Sequence, residues 1–200
     1  MITTDTIKAR HSVRDYDGKP LSKEEFGALA DVVSQTACES GLDIQLVGNN
    51  PEAFNVLARF GVVRGCDTHV AFVVDVSAGV DGATSDERIG YWGQEIVLAA
   101  QDMGLNTCWC ALCSRKKSHA TVASGKKIRL VVAVGHGKTQ GASRKTKSVE
   151  ELSAVECETA PAWFAQAMEA AQLAPTAMNN QHFKITLLPD GKTVRAQAPE

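Results

Sequence analysis

An α+β fold with a mixed sheet is the prediction for this chain, and three observations carry it. Helical and strand patterns alternate along most of the 200 residues. The chain then closes on a hairpin signal, which a purely doubly wound parallel sheet would not have. Finally, neither an internal repeat nor a linker interrupts it, so residues 1–200 read as one domain.

Elements follow from local chemistry. Asp5 is placed to cap a short helix through Ile7 and Ala9, and Asp17-Gly18-Lys19-Pro20 is a turn. Ser22 with Glu25 forms a capping-box pattern, opening a helix whose inner face is Phe26, Leu29, Ala30 and Val33 and whose stop is Gly41. Leu42–Val47 reads as a strand. Asn50-Pro51 reads as an N-cap and first helical residue, with Phe54, Leu57 and Ala58 following. The nearly continuous apolar run His69–Val76 predicts a buried strand, and Gly79–Asp86 a loop. A helix over Glu87–Met103, inner face Ile89, Trp92, Ile96, Val97 and Ala100, ends at Gly104.

Leu105–Leu112 and Ile128–Val134 read as buried extended segments, the second leading through Gly135-His136-Gly137 into a basic loop with Lys138, Arg144, Lys145 and Lys147. Ser148 with Glu151 is a second capping box. Pro161 starts a helix through Phe164, Met168, Ala171 and Leu173. Phe183–Leu188 and Thr193–Gln197, joined through Asp190-Gly191, form the terminal hairpin.

Composition narrows the function classes. Hydrophobic residues at 44% and charged residues at 22% describe an ordinary globular chain and argue against wholesale disorder. A formal net charge of -2 does not suit a general nucleic-acid binder. No apolar run is long enough to cross a membrane, and Met1–Lys8 lacks the apolar core of a secretory signal. The expected location is the cytoplasm, where six cysteines read most simply as free thiols.

Four segments are candidates for chemistry. In Arg10-His11-Ser12-Val13-Arg14, two guanidiniums flank a hydroxyl, a set suited to the phosphate and polar chain of a nucleotide-like cofactor. On these five residues alone a solvated basic turn is the simpler reading. The basic loop follows a buried strand, a common position for ligands, and Arg144 and Lys145 are able to close on a phosphate; by itself it reads equally as a solvated loop. In Ala174–Gln181, small residues allow close approach to a flat ring, and Asn179 and Gln181 both donate and accept, as the edge of a heterocycle requires; the plain alternative is a polar helix end.

The fourth segment is Cys108-Trp109-Cys110 with Cys113. Cys110 and Cys113 form one Cys-x-x-Cys pair, without a second pair, and His119 is the nearest imidazole. Residues along a strand alternate between its faces, so metal is not expected and buried thiols are the default. A dinucleotide fingerprint, a complete phosphate-loop motif, a Gly-x-Ser-x-Gly elbow and a His-Glu-x-x-His motif are all absent from the sequence.

Taken together, the segments resemble the nitroreductase-like flavoproteins. Arg10–Tyr16 is similar to that family's Arg-Arg/His-Ser-x-Arg-x-Phe/Tyr opening. Gly90–Glu95 through Leu98 to Gly104-Leu105-Asn106-Thr107-Cys108-Trp109 resembles its central helix and Gly-Leu-Gly-Thr-Cys-Trp strand. Val134-Gly135-His136 resembles the Ile-Gly-Tyr strand end, and Ala170–Gln181 the Ala-Pro-Ser-x-x-Asn-x-Gln-Pro motif. Trp163 and the segment from Ser143-Arg144-Lys145 to Leu152 fit a subgroup of this length in which that motif comes late. The likeness runs nearly end to end.

The resemblance implies a mostly antiparallel sheet flanked by helices, FMN as cofactor and NAD(P)H as its reductant, with a small-molecule acceptor such as a nitro compound or quinone. It also implies a homodimer. Carried over residue by residue, Arg10, His11, Ser12 and Arg14 contact the phosphate, ribityl chain or ring edge. Cys108, Trp109 and Cys110 line the reactive face through their backbone, Arg144 and Lys145 hold phosphate, and Thr176, Asn179 and Gln181 lie near the ring. No side chain is assigned as catalytic; the flavin does the chemistry.

Thr176 replaces Ser, His182 replaces Pro, Asn106 replaces the second Gly, and Cys110-Ala111 replaces a glycine-containing turn. The late motif serves the flavin of its own chain or that of a partner. These departures leave two alternatives: a non-enzymatic flavin store or sensor, and a thiol-redox or metal protein using Cys110 and Cys113.

Overall fold

The computed structural model of the protein describes residues 2–54, 63–76, 82–111 and 115–198. They form two compact units, the first from residue 2 and the described residues of 9–142, the second from 3–8 and 143–198. The elements of both are mixed helix and strand, and the sheets are mostly antiparallel, as the sequence predicts.

The first unit holds a four-stranded antiparallel sheet. Its strands are β1 (Asp43–Val47), β2 (Thr68–Asp75), β3 (Asn106–Cys110) and β4 (Lys126–Gly135), in the spatial order β1-β2-β4-β3. Alternation along each strand sends side chains to two separate cores. On one face, α2 (Lys23–Ser40) and α3 (Gly82–Asp102) bury Leu29, Val33, Ile89, Ile96, Val97 and Ala100 against Val70, Phe72, Val132 and Val134. On the other, Ala71, Val73, Cys108, Cys110, Val131 and Ala133 pack with Val13, Tyr16, Phe54 and Cys66. The N-terminal arm thus covers the face opposite the helices.

The second unit is smaller. It contains α1 (Thr4–Ala9) over Thr4–Lys8, then α4 (Val149–Leu152), α5 (Ala162–Ala171) and a three-stranded sheet. In that sheet β5 (Ser153–Val155) runs parallel to β6 (Lys184–Leu187), and β6 pairs antiparallel with β7 (Val194–Gln197). Leu152, Phe164, Met168 and Leu187 form its core.

Local signals mostly become the structure they predict. Both capping boxes close reciprocally: the Glu25 N–H donates to Ser22 Oγ and the Ser22 N–H to Glu25, and Ser148 with Glu151 does the same. Gly41 (φ 66°) and Gly104 (φ 78°) end α2 and α3 in the left-handed conformation that glycine adopts without strain.

Three expectations change. Asp5 sits inside the first turn of α1; Thr3 Oγ1 accepts from the Thr6 N–H instead. Helix α3 begins at Gly82, so Gly82–Asp86 is helical rather than loop, and Asp86 is paired there with Arg129 of β4. Asn50 does not cap: its fully buried amide accepts from the His119 N–H (2.8 Å) and donates to Lys117 O (3.0 Å). Pro51–Phe54 forms a 3₁₀ turn; Leu57 and Ala58, with Gly79–Asp81, Leu112 and Cys113, lie outside the described residues.

Candidate functional site

The arginine segment joins the sheet as a fifth extended piece beside β3. Ser12 bridges Thr107 in parallel, and the Val13 N–H donates to Thr107 O at 2.9 Å. The chain then crosses to other partners. The Arg64 N–H donates to Arg14 O (2.8 Å), the Tyr16 N–H to Arg64 O (2.9 Å) and the Asp17 N–H to His136 O (2.9 Å). Tyr16 is the anchor, 2% exposed, with its hydroxyl on Ala133 O and its ring edge against Gly135. Gly65 makes the crossing possible, since at φ 67° a side chain would be strained and its Cβ would stand 2.5 Å from Tyr16 O.

Pairing with β3 brings Arg10, His11, Ser12 and Arg14 to the strand that carries Cys108, Trp109 and Cys110. Arg10 is 8% exposed, an uncommon place for a guanidinium. Burial lowers its pKa and the neighbouring Cys108 acts against that. His11, Ser12 and Arg14 are half-buried.

Strand β3 divides its side chains between the two faces. Cys108 and Cys110 point into the core under the arm, their thiols donating to the carbonyls of Trp109 and Cys108. Trp109 points the other way. Its ring stacks on Phe72 at 5.6 Å, lies where a Cβ on Gly93 would stand, and donates Nε1–H to Gln94 Oε1 at 3.2 Å. What Trp109 offers on the arm side is therefore its backbone. Cys66, in the same core as Cys108, has its thiol pushed up to about 12 by burial. Cys113 is outside the described residues, and among the described residues three or more His, Cys, Asp or Glu side chains nowhere converge as metal ligands.

The beginning of the basic loop is held by a residue that reads in the sequence only as a departure from the motif. Asn106, 2% exposed, accepts from the Gly137 N–H at 2.9 Å and donates to Gln140 at 2.9 Å. Gly137 has room for nothing larger: a Cβ would meet Thr139 O at 2.6 Å and Asn106 Oδ1 and Val13 at 2.7 Å. A Cβ on Gly141 would meet that of His11 at 2.6 Å, so this stretch lies directly on the arm. The spacing Gly135-x-Gly137 is the sequence signal for that close approach. Lys138 is paired with Asp15 at 3.0 Å.

Arg144, Lys145, Thr176, Asn179 and Gln181 belong to the second unit, where Lys145 meets the late motif. Asn179 Nδ2 donates to Lys145 O at 2.9 Å. Gln181 donates through Nε2 to the same carbonyl at 3.1 Å and accepts from the Lys147 N–H at 2.7 Å. Thr176 Oγ1 accepts from the Gln181 N–H at 3.0 Å. Arg144 and Lys145 are exposed. The predicted residues therefore fall into two groups, one gathered on β3 and one on the 145–147 segment. A separate cleft of about 380 Å³ beside the start of α2, lined by Leu21, Phe26, Asn49 and Thr68 among others, includes none of them.

Comparison with known proteins identifies the family and the fold. The family model described as "Putative TM nitroreductase" matches residues 3–199. A comparison with curated proteins found no match. Among solved structures, a putative nitroreductase from Thermotoga maritima superposes with a TM-score of 0.60 at 20% identity, over 91% of this chain and 70% of that one. A putative nitroreductase in complex with FMN from Desulfovibrio desulfuricans gives 0.57 at 18% identity, over 74% and 93%. A putative NADH oxidase from Clostridium acetobutylicum gives 0.56 at 16% identity, over 74% and 97%. At these identities the solved structures speak for the fold, and the family model, matched over nearly the whole length, says that this chain belongs to the nitroreductase family.

Proposed function

We propose that this protein binds FMN and catalyses electron transfer from NAD(P)H to an electron-poor small molecule such as a nitro compound or quinone. The observation that carries the reading is the Ser12–Thr107 pairing, which lays the arginine segment along the Cys108–Cys110 strand. The donor set fits the group. Ser12 and Arg14 are half-buried donors suited to phosphate and ribityl oxygens, and Arg10 is a buried cation suited to a buried anion. The glycines at 137 and 141 let the loop after β4 pack directly on His11 and Val13 of that segment. Family membership and the FMN complex of the Desulfovibrio protein support the same reading.

Bound FMN would supply two-electron redox chemistry, and the protein's part is to bind, orient and screen. Arg10 and Arg14 would favour negative charge at their end of the site, and the β3 backbone would offer donors along the other. Arg144 and Lys145 would hold phosphate, on this chain's flavin or on a partner copy's. Thr176, Asn179 and Gln181 act with those two cations. We take the 200 residues to work as one flavoprotein unit, homodimeric and cytoplasmic.

One spectrum tests the reading. Purified protein with added FMN is expected to retain the flavin absorption bands through desalting. Addition of NADH or NADPH is then expected to bleach them, and a quinone to restore them. A protein that stays colourless overturns the proposal. Flavin that binds but never bleaches would favour the store or sensor.

A further inference from the structure

The family resemblance sets Gln181 against the flavin, but its side chain is already engaged. It is 5% exposed. A primary amide has two N–H donors and one carbonyl oxygen. Here Nε2 donates to Lys145 O (3.1 Å) and Asn179 O (3.4 Å), and Oε1 accepts from the Lys147 N–H (2.7 Å). The Gln181 carbonyl accepts from Lys147 Nζ at 3.3 Å, and its N–H donates to Thr176 Oγ1 at 3.0 Å. Asn179 adds a second donor to Lys145 O, and Gln172 Nε2 donates to Lys147 O at 2.9 Å. The peptide groups from Lys145 to Lys147 are thereby held from three side chains.

The loop that does this is strained. Met178, Asn179 and Gln181 have φ of 53°, 59° and 49°, three side-chain-bearing residues in the left-handed region within four positions. Such conformations are uncommon for residues with side chains and persist where surrounding contacts over-determine them. What the loop holds is a segment whose Arg144 and Lys145 side chains face solvent.

We infer that Gln181 is a positioning residue for anion recognition: it fixes the backbone of Lys145–Lys147 so that Arg144 and Lys145 are presented together to a phosphate, and it does not itself contact the ring. The inference rests on the FMN reading above and deepens it. Asn179 supports the same carbonyl, and the strained turn at 178–181 is the device that points both amides back at the basic segment.

The test compares FMN with riboflavin, which has the same ring and no phosphate, by flavin fluorescence titration of the full chain. Gln181→Ala is expected to weaken FMN about ten-fold, the loss of one charge-assisted contact, while riboflavin affinity changes less than about two-fold. In a protein already carrying Arg144→Ala and Lys145→Ala, Gln181→Ala is expected to have no further effect on FMN, because the groups it positions are gone. Equal weakening of both flavins would assign Gln181 to the ring and overturn the inference, as would unchanged FMN affinity or full additivity with the double variant. Should Gln181→Ala not fold, Gln181→Met carries the same comparison, since it keeps the length of the side chain, loses the amide and adds no charge. Failure of the unsubstituted protein to bind either flavin would instead refute the FMN reading itself.

Discussion

Replacing His69 with Gln is expected to remove a defined part of the protein's acid sensitivity. His69 stands on β2 with no exposed surface, its Nε2 2.8 Å from Ser118 Oγ and its ring edge-on to Phe54 at 5.7 Å. Among the described residues its Nδ1 has no partner. A second proton would be buried without an acceptor, so the pKa falls from 6.5 to about 4; desolvation is the main cause and His119 the lesser one. The folded state thus keeps His69 neutral where the unfolded chain protonates it. Its contribution to stability is complete above pH 6.5, declines as pH falls and is lost by about pH 4. A shift of this size corresponds to roughly 3 kcal/mol. The assay is urea denaturation followed by tryptophan fluorescence between pH 7.5 and 4. At pH 7.5 the variant is expected to be the weaker protein, having disturbed the Ser118 contact that ties residues 117–121 to the sheet. By pH 4 that deficit is expected to shrink by roughly 3 kcal/mol. Parallel losses of stability in the two proteins across this range would refute the reasoning.

Other substitutions test the frame and the site. Gly93→Ala is expected to cost about 1–3 kcal/mol by overpacking, because the new Cβ would stand 2.4 Å from the Trp109 ring and 2.8 Å from Phe72; thermal unfolding and Trp109 emission report it. Asn106→Ala is expected to cost about 1–3 kcal/mol and to speed proteolysis at 137–140, since Gly137 N–H and Gln140 lose their partner. Arg10→Ala is expected to weaken FMN by about 1.5–3 kcal/mol in a binding titration, and unchanged affinity would move the flavin elsewhere. Asp86→Asn is expected to cost no more than about 1 kcal/mol in urea unfolding, because the Asp86 and Arg129 side chains are 39% and 37% exposed and water screens the pair.

Much of the fold is legible in the chain because the signals are local. A capping box needs only Ser at one position and Glu three later, so Ser22–Glu25 and Ser148–Glu151 declare two helix starts without reference to the rest of the fold. Gly41, Gly104 and Asp190-Gly191 likewise act through their own backbone and nearest neighbours. Gly82–Asp86 reads as loop because its small, polar residues carry loop propensity, while the ion pair that accompanies the early start of α3 comes from Arg129, 43 positions away from Asp86. Asn50 misleads for a similar reason: its partners at Lys117 and His119 are invisible to a reading confined to its immediate neighbours in the chain.

The sequence by itself determined the α+β class, most element positions, the family resemblance and the identity of the polar residues available to a flavin. Hydropathy period, caps, turn residues and motif spacing are properties of neighbours along the chain. Tertiary structure decided what those residues do. It set Ser12 against Thr107, turned Trp109 toward α3, made Asn106 a clasp for Gly137, and aimed Gln181 at Lys145 and Lys147. An amide or indole has the same hydrogen-bonding capacity wherever it stands, and only the folded chain settles which groups, distant in sequence, will meet it.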